Sequence, residues 1–152
     1  MTVAAAERLE IRHVVEVPPE EAFDAWTTPE LVEDWWGPHG YRTEVLRLDA
    51  VEGGGFSFRM TGPSGATCPM RGTYTRIDRP RLLVFEVTDH CVADMPGDVR
   101  PPSRPSLVEV RFERRGEGTE IVLVQTGLDA DYGALANVGW SQSLQRAETV
   151  LR

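Results

Sequence analysis

The side chains best suited to metal or acid–base chemistry are three histidines and two cysteines: His13, His39, His90, Cys68 and Cys91. None of the histidines lies at a helical metal-ligand spacing from another His or Cys. His90 and Cys91 are neighbours on a predicted strand, so we expect their side chains on opposite faces of a sheet. The pattern therefore predicts neither a metal site nor a bound cofactor.

Nucleophilic and phosphate-binding motifs are also missing from the sequence. There is no nucleophile elbow, and Ser, His and Asp follow no recognised catalytic order. The glycine run at 53–55 precedes a predicted strand and not a helix. It is therefore expected to form a tight turn rather than a phosphate cradle.

Asp89 is the carboxylate that strand alternation directs towards the interior. If Ile77 pairs with Leu82 across the turn at 78–81, Met70 lies opposite Asp89 on the inward face. Burial would then raise the pKa of this carboxyl, which makes Asp89 our only candidate general base. The alternative is a bulge around Thr88, which would turn Asp89 out to solvent.

The same strand register places Cys68 directly opposite Cys91. Opposed side chains in an antiparallel pair come close enough for a disulfide only at a non-hydrogen-bonded position. In a reducing compartment two free thiols are favoured over a bridge. The sequence leaves the redox state of this pair open.

Composition excludes several classes of function. The formal net charge is −8, which disfavours binding to nucleic acid or to an anionic membrane surface. All 16 basic residues are Arg, so the chain can form neither a lysine Schiff base nor a Walker-type phosphate site. Residues 1–10 do not have the pattern of a signal peptide, and we expect a cytoplasmic protein.

Hydrophobic periodicity predicts two short helices after a first strand, then six strands and a long terminal helix. Pro19 and Pro29 are suited to the first positions of the short helices, which end near Trp26 and Gly37. The terminal helix is predicted over 131–151, with Trp140 and Leu144 on one face. The predicted strands are 9–17, 41–49, 55–61, 66–77, 82–91, 107–113 and 119–126.

This order predicts an α+β fold in a single domain spanning residues 1–152. Six consecutive strands with short connections favour an antiparallel sheet, and the terminal helix is the only element long enough to cover it. Trp35 and Trp36 are adjacent, so we expect one of them at a cavity rim or on the surface. Strand alternation predicts an inward sheet face formed by Phe56, Phe58, Met60, Met70, Tyr74, Phe85, Val87, Val110, Phe112, Ile121 and Leu123.

Local motifs along nearly the whole chain match a known family. They are Val17-Pro18-Pro19-Glu20 with Phe23, the run from Ala25 to Leu31, Trp35-Trp36-Gly37-Pro38, Asp49 with Gly53 to Phe56, Gly72 with Tyr74, Arg81-Leu82 with Phe85, and Gly139-Trp140 with Leu144. On these residues the chain resembles the START-like (SRPBCC) superfamily, and within it the family named after the activator of heat shock protein 90 ATPase.

The resemblance implies a helix-grip fold, a curved antiparallel sheet wrapped around the long C-terminal helix. It also implies a cavity for a small hydrophobic or amphipathic ligand between sheet and helix. Its expected lining is Trp26, Trp35, Phe56, Phe58, Met60, Met70, Tyr74, Phe85, Val87, Phe112, Trp140 and Leu144.

Two other functions stay open from the same resemblance. One is a cyclase-like or hydrolase-like enzyme acting in the same cavity, and the other is regulation of a chaperone ATPase in a stress response. Oligomeric state is not decided either, with a homodimer among the options. The proline-rich segment 92–106 is either a lid over the cavity or a surface insertion.

Overall fold

The computed structural model describes residues 7–152, so the prediction about a signal peptide at residues 1–10 falls partly outside the described residues. No helix in the described range is long and apolar enough to cross a membrane. The elements are β1 Glu7–Val15, α1 Pro19–Thr27, α2 Pro29–Trp35, β2 Arg42–Leu48, β3 Gly55–Thr61, β4 Thr67–Asp78, β5 Leu82–Asp89, β6 Ser106–Arg115, β7 Gly118–Leu128 and α3 Ala130–Val150.

The seven strands form one antiparallel sheet in the order β1-β7-β6-β5-β4-β3-β2. All neighbours except β1 and β7 are consecutive in sequence, as short connections favour. Helix α3 packs on one face of the sheet, and α1 and α2 join β1 to the rest. The predicted α+β helix-grip fold is confirmed.

The inward face of the sheet follows strict strand alternation. In β3 and β7 every second side chain points inward, as the pleat requires. All eleven side chains predicted on this face are buried, none more than 8% exposed. The core therefore lies between this face and α3, with α1 and α2 closing one side.

Neither of the two adjacent tryptophans reaches the surface, which leaves a place beside a cavity as the predicted location for one of them. Trp35 is 0% exposed and Trp36 is 5% exposed. Helix α2 ends at Trp35, and Trp36 takes an extended conformation with φ −65° and ψ 128°. Because the backbone changes direction between them, helical spacing no longer separates the two rings.

Asp89 does not point to the interior, which corrects the prediction made from uninterrupted alternation. Gly72 pairs with Val87, but Arg71 pairs with Asp89, so Thr88 is an extra residue in β5. This is the bulge around Thr88 that the sequence allows as the alternative to uninterrupted alternation. The Asp89 carboxylate consequently accepts a 2.8 Å hydrogen bond from Arg71 on the outer face.

A second register shift lies nearer the turn between β4 and β5. Ile77 pairs with Leu83 and not with Leu82, because the register changes between Tyr74 and Arg76. The two shifts offset each other. The central part of the pair, with Tyr74 opposite Phe85, keeps the predicted register.

The glycine run forms the predicted turn between β2 and β3. The Gly53 amide donates to the Tyr74 carbonyl and the Tyr74 amide donates to the Gly54 carbonyl, both at 2.8 Å. A Cβ on Gly54 would lie 2.2 Å from the Asp49 carbonyl oxygen, so only glycine fits there.

Cys68 and Cys91 form a disulfide, with Cα atoms 5.2 Å apart. The free-thiol state that we favoured for a reducing compartment is not the state of the structure. The distance falls within the usual disulfide range even though the register shifts nearby. The bridge ties the segment that follows β5 to the start of β4.

We predict that Leu144→Ala lowers the free energy of unfolding by about 2–5 kcal/mol, because Leu144 lies on α3 and is fully buried in the core. Val138→Ala on the same helix is the control. Val138 is 54% exposed, so its loss should change stability by less than about 0.5 kcal/mol. Equal effects of the two changes in chemical denaturation would contradict the packing of α3.

We also predict that Cys68→Ser lowers the free energy of unfolding by about 2–4 kcal/mol under oxidising conditions. The disulfide closes a loop with a sequence separation of 23 residues and so restricts the unfolded chain. A reducing agent should bring the wild type close to the variant. If the two proteins were equally stable without reductant, the bridge would not form in solution.

Candidate functional site

A mostly apolar cavity lies between the first half of α3 and one end of the sheet. The centre of a water molecule can reach a volume of about 70 Å³ inside it. Pro38, Tyr41, Met95 and Leu135 are half-buried and lie where the cavity nears the surface. The described residues that line it are Trp36, Gly37, Pro38, Tyr41, Met60, Met70, His90, Cys91, Met95, Gln125, Tyr132, Leu135, Ala136, Gly139, Trp140 and Ser143.

The twelve residues expected around a ligand are all buried, but they do not all meet at this cavity. Met60, Met70 and Trp140 line it. Trp35, Val87, Phe112 and Leu144 belong to the packed core. The other five surround a second space that is too small to hold a water molecule: Trp26, Phe56, Phe58, Tyr74 and Phe85.

Aromatic rings fill that second space. Trp26 stacks on Trp140 with ring centroids 5.8 Å apart, and it meets Trp35 and Trp36 edge-on at 4.7 and 5.9 Å. Edge-on and offset contacts of this kind favour aromatic pairs beyond simple burial. The cluster therefore acts as a solid wall, and the free volume lies on the other side of Trp36 and Trp140.

A chain of buried hydrogen bonds runs from α3 across the sheet to the cavity. The Trp140 indole donates to Gln125 Oε1 at 2.8 Å, and Gln125 Nε2 donates to Ser106 Oγ at 2.9 Å. Ser106 Oγ lies 2.7 Å from His90 Nε2. We call Trp140, Gln125, Ser106 and His90 the polar relay. All four residues are at most 8% exposed.

His90 is the titratable member of the polar relay and lies at the end of its series of hydrogen bonds. Burial lowers its pKa to about 4, against a small opposing effect of the Asp89 carboxylate. The imidazole is therefore neutral at pH 7. Its Nδ1 atom is buried and has no hydrogen-bond partner among the described residues.

The segment 91–95 forms one wall of the cavity. Tyr132 on α3 donates from its hydroxyl to the Cys91 carbonyl at 2.9 Å, and burial raises the pKa of that hydroxyl. Tyr41 donates to the Ala93 carbonyl. With the disulfide, these bonds hold the first part of the 92–106 segment against the cavity; a lid function stays a prediction.

The polar residues of this site were not predicted from the sequence. Gln125 continues the inward alternation of Ile121 and Leu123, so its parity was a usable signal. His90 carried no such signal, because it points inward only after the bulge in β5. Ser106 precedes the predicted start of β6 at residue 107, and the structure pairs it with Val87.

Charged groups are absent from the part of the cavity wall that the structure describes. Within residues 7–152, His, Cys, Asp and Glu form no cluster of three or more that could hold a metal ion. Asp89, the candidate base, lies on the outer face of the sheet. The described cavity can thus offer apolar contacts and a few neutral polar groups.

Fold and cavity together define a helix-grip protein with an internal space between sheet and helix. Residues 16–152 match the family model described as "Activator of Hsp90 ATPase homolog 1-like protein". The chain belongs to this family, which confirms the resemblance found in the sequence. No curated protein matches this sequence.

Solved structures share the fold at low sequence identity. A protein from Chromobacterium violaceum has a TM-score of 0.81 at 20% identity, over 95% of this chain and 96% of that chain. The AHSA1 protein from Silicibacter pomeroyi has a TM-score of 0.76 at 25% identity, over 95% and 97%. CalU16 from Micromonospora echinospora has a TM-score of 0.69 at 23% identity, over 96% and 76%.

The low pKa of His90 predicts a loss of stability on acidification. The unfolded chain takes up a proton near pH 6.5, whereas folded His90 takes it up only near pH 4. The free energy of unfolding should therefore fall as the pH drops between these values. Below pH 4, His90 should cause no further loss. From pH 7 to pH 5 the expected loss from His90 is about 2 kcal/mol.

The measurement is chemical denaturation of the wild type and of His90→Phe at several pH values. The variant should be less stable at pH 7 yet lose less stability between pH 7 and pH 5. His39→Phe, at an exposed position, is the matched control and should follow the wild type. Parallel pH profiles for the wild type and His90→Phe would show that folded His90 titrates normally.

Proposed function

We propose that this protein binds a small apolar or amphipathic molecule in the cavity beneath α3. The observation that carries the proposal is the lining, which is mostly apolar and holds a few convergent polar groups. Ligand sites are commonly built in this way, with apolar walls for affinity and a few polar groups for orientation. We propose Met60, Met70 and Trp140 as ligand contacts, together with Trp36 and Tyr132.

The size of the cavity supports a small ligand. One water molecule needs about 10–15 Å³ of the volume that water centres can reach, so the cavity is large enough for several water molecules. Met60, Met70 and Met95 contribute flexible walls that can adapt to shape. The remaining predicted contacts, such as Phe58 and Phe85, would act by supporting the wall rather than by touching a ligand.

An enzyme acting in the same cavity is the second candidate, because Ser106 Oγ lies 2.7 Å from His90 Nε2. A serine and a histidine at this distance resemble a nucleophile and its base. However, Ser106 is 1% exposed and is not among the described residues that line the cavity. A base with a pKa of about 4 is also poorly matched to neutral pH. These observations favour binding over catalysis.

The test is a titration with α-methylstyrene, a neutral aromatic probe, followed through the tryptophan indole signals in ¹H–¹⁵N NMR spectra. We expect the Trp36 and Trp140 signals to move, because both rings line the cavity. The Trp35 signal should move less, because Trp35 does not line the cavity and its indole donates at 2.9 Å to the Ala25 carbonyl inside the packed core. Native mass spectrometry of the purified protein would identify a molecule that binds during expression.

A matched pair of variants controls the titration. Ala136→Met places a long side chain in the cavity and should weaken probe binding at least tenfold. Ala134→Met makes the same change on the exposed face of α3 and should leave binding unchanged. Absence of saturable binding to the wild type, or equal binding by the two variants, would contradict the proposed site.

A further inference from the structure

We propose that the ligand of this cavity is a neutral molecule with a carbonyl oxygen, which accepts hydrogen bonds from Gln125 and His90. This inference rests on the proposed function and adds the chemical class of the ligand. It follows from the direction of the hydrogen bonds in the polar relay. The direction of these hydrogen bonds is set at one end by the Trp140 indole, which can only donate.

The relay has one consistent assignment of hydrogens. The Trp140 indole is a donor only, so the Gln125 atom that faces it must be the amide oxygen. The other end of that amide is then a donor to Ser106 Oγ. Ser106 is 1% exposed, and within the described residues His90 Nε2 is the only acceptor for its hydroxyl proton.

This assignment decides the tautomer of His90. Since Nε2 accepts from Ser106, the proton of the neutral ring must lie on Nδ1. If Nε2 were the donor, the buried Ser106 hydroxyl would have no acceptor, and a buried hydroxyl without an acceptor is strongly disfavoured. His90 therefore holds a donor at Nδ1, and no described residue accepts from it.

Counting donors and acceptors shows what the relay lacks. Gln125 carries two amide hydrogens, and only one is used by Ser106. The second hydrogen of Gln125 and the Nδ1 hydrogen of His90 are both left over, on residues that line the cavity. The relay is thus short of acceptors, which a ligand oxygen would supply.

The charge of the site favours a neutral acceptor over an anion. The described lining holds no Arg, and burial keeps His90 neutral at pH 7. A carboxylate would lose its hydration there without gaining a counter-charge, which strongly disfavours its binding. A ketone, ester or amide carbonyl accepts the same hydrogen bonds without that cost.

Three probes of the same shape test the ligand class: acetophenone, α-methylstyrene and benzoate. In α-methylstyrene a CH₂ group replaces the ketone oxygen, and benzoate replaces the acetyl group by a carboxylate. Binding to the wild type, His90→Phe and His39→Phe is measured by NMR titration. His39→Phe is the control, because it makes the same substitution at an exposed position outside the cavity lining.

We expect His90→Phe to weaken acetophenone binding about 3- to 10-fold more than α-methylstyrene binding, the range for one hydrogen bond. His39→Phe should leave this ratio unchanged, and benzoate should bind most weakly. Because His90→Phe could disturb folding, the wild type provides an independent measurement. Its ¹⁵N-histidine spectrum should show His90 protonated at Nδ1, and acetophenone alone should shift the Gln125 side-chain amide signals.

Several results would overturn the inference. An Nε2-protonated His90, an unchanged ratio of the two neutral probes in His90→Phe, or preferred binding of benzoate would each contradict the ligand class. In those cases saturable binding of α-methylstyrene would leave the proposed function intact. If no probe bound at all, the proposed function would fail and the ligand class with it.

Discussion

The hydrogen bond from the Trp140 indole to Gln125 connects the terminal helix to the sheet inside the core. Both partners are almost fully buried, so neither can exchange this bond for water. Its direction is set by the chemistry of indole, which can only donate. Through the amide of Gln125 and the hydroxyl of Ser106, that direction is passed on to His90, where the buried chain ends at the cavity.

The position of the cavity follows from how the aromatic residues are distributed. Trp26 lies at the centre of a cluster that fills the space between α1, α2 and the sheet. Trp36 and Trp140 form the boundary of this cluster, with ring centroids 5.2 Å apart. On their other side the lining changes to methionines and small residues such as Ala136 and Gly139, which leave room. The packed half of the interior thus holds the walls of the open half in place.

Much of this fold could be predicted from the sequence, because alternation in the strands is regular and one face must be covered. The site was harder to predict, for local reasons. One extra residue at Thr88 turns Asp89 out and His90 in, and no feature of the sequence distinguishes that bulge from a regular strand. The end of α2 at Trp35, ahead of the predicted end near Gly37, brings Trp36 to the cavity. The inward position of Gln125 was predictable from strand alternation. Its role was not, because that role depends on its hydrogen bonds with Trp140 and Ser106.

A crystal structure of the wild type soaked with acetophenone would test the central claim most directly. The account predicts density for the ring between Trp36, Met70 and Ala136. It also predicts the ketone oxygen within hydrogen-bond distance, about 2.7–3.2 Å, of Gln125 Nε2 and His90 Nδ1. A cavity that stays filled by side chains or water alone, or a ligand whose oxygen points away from both donors, would contradict it.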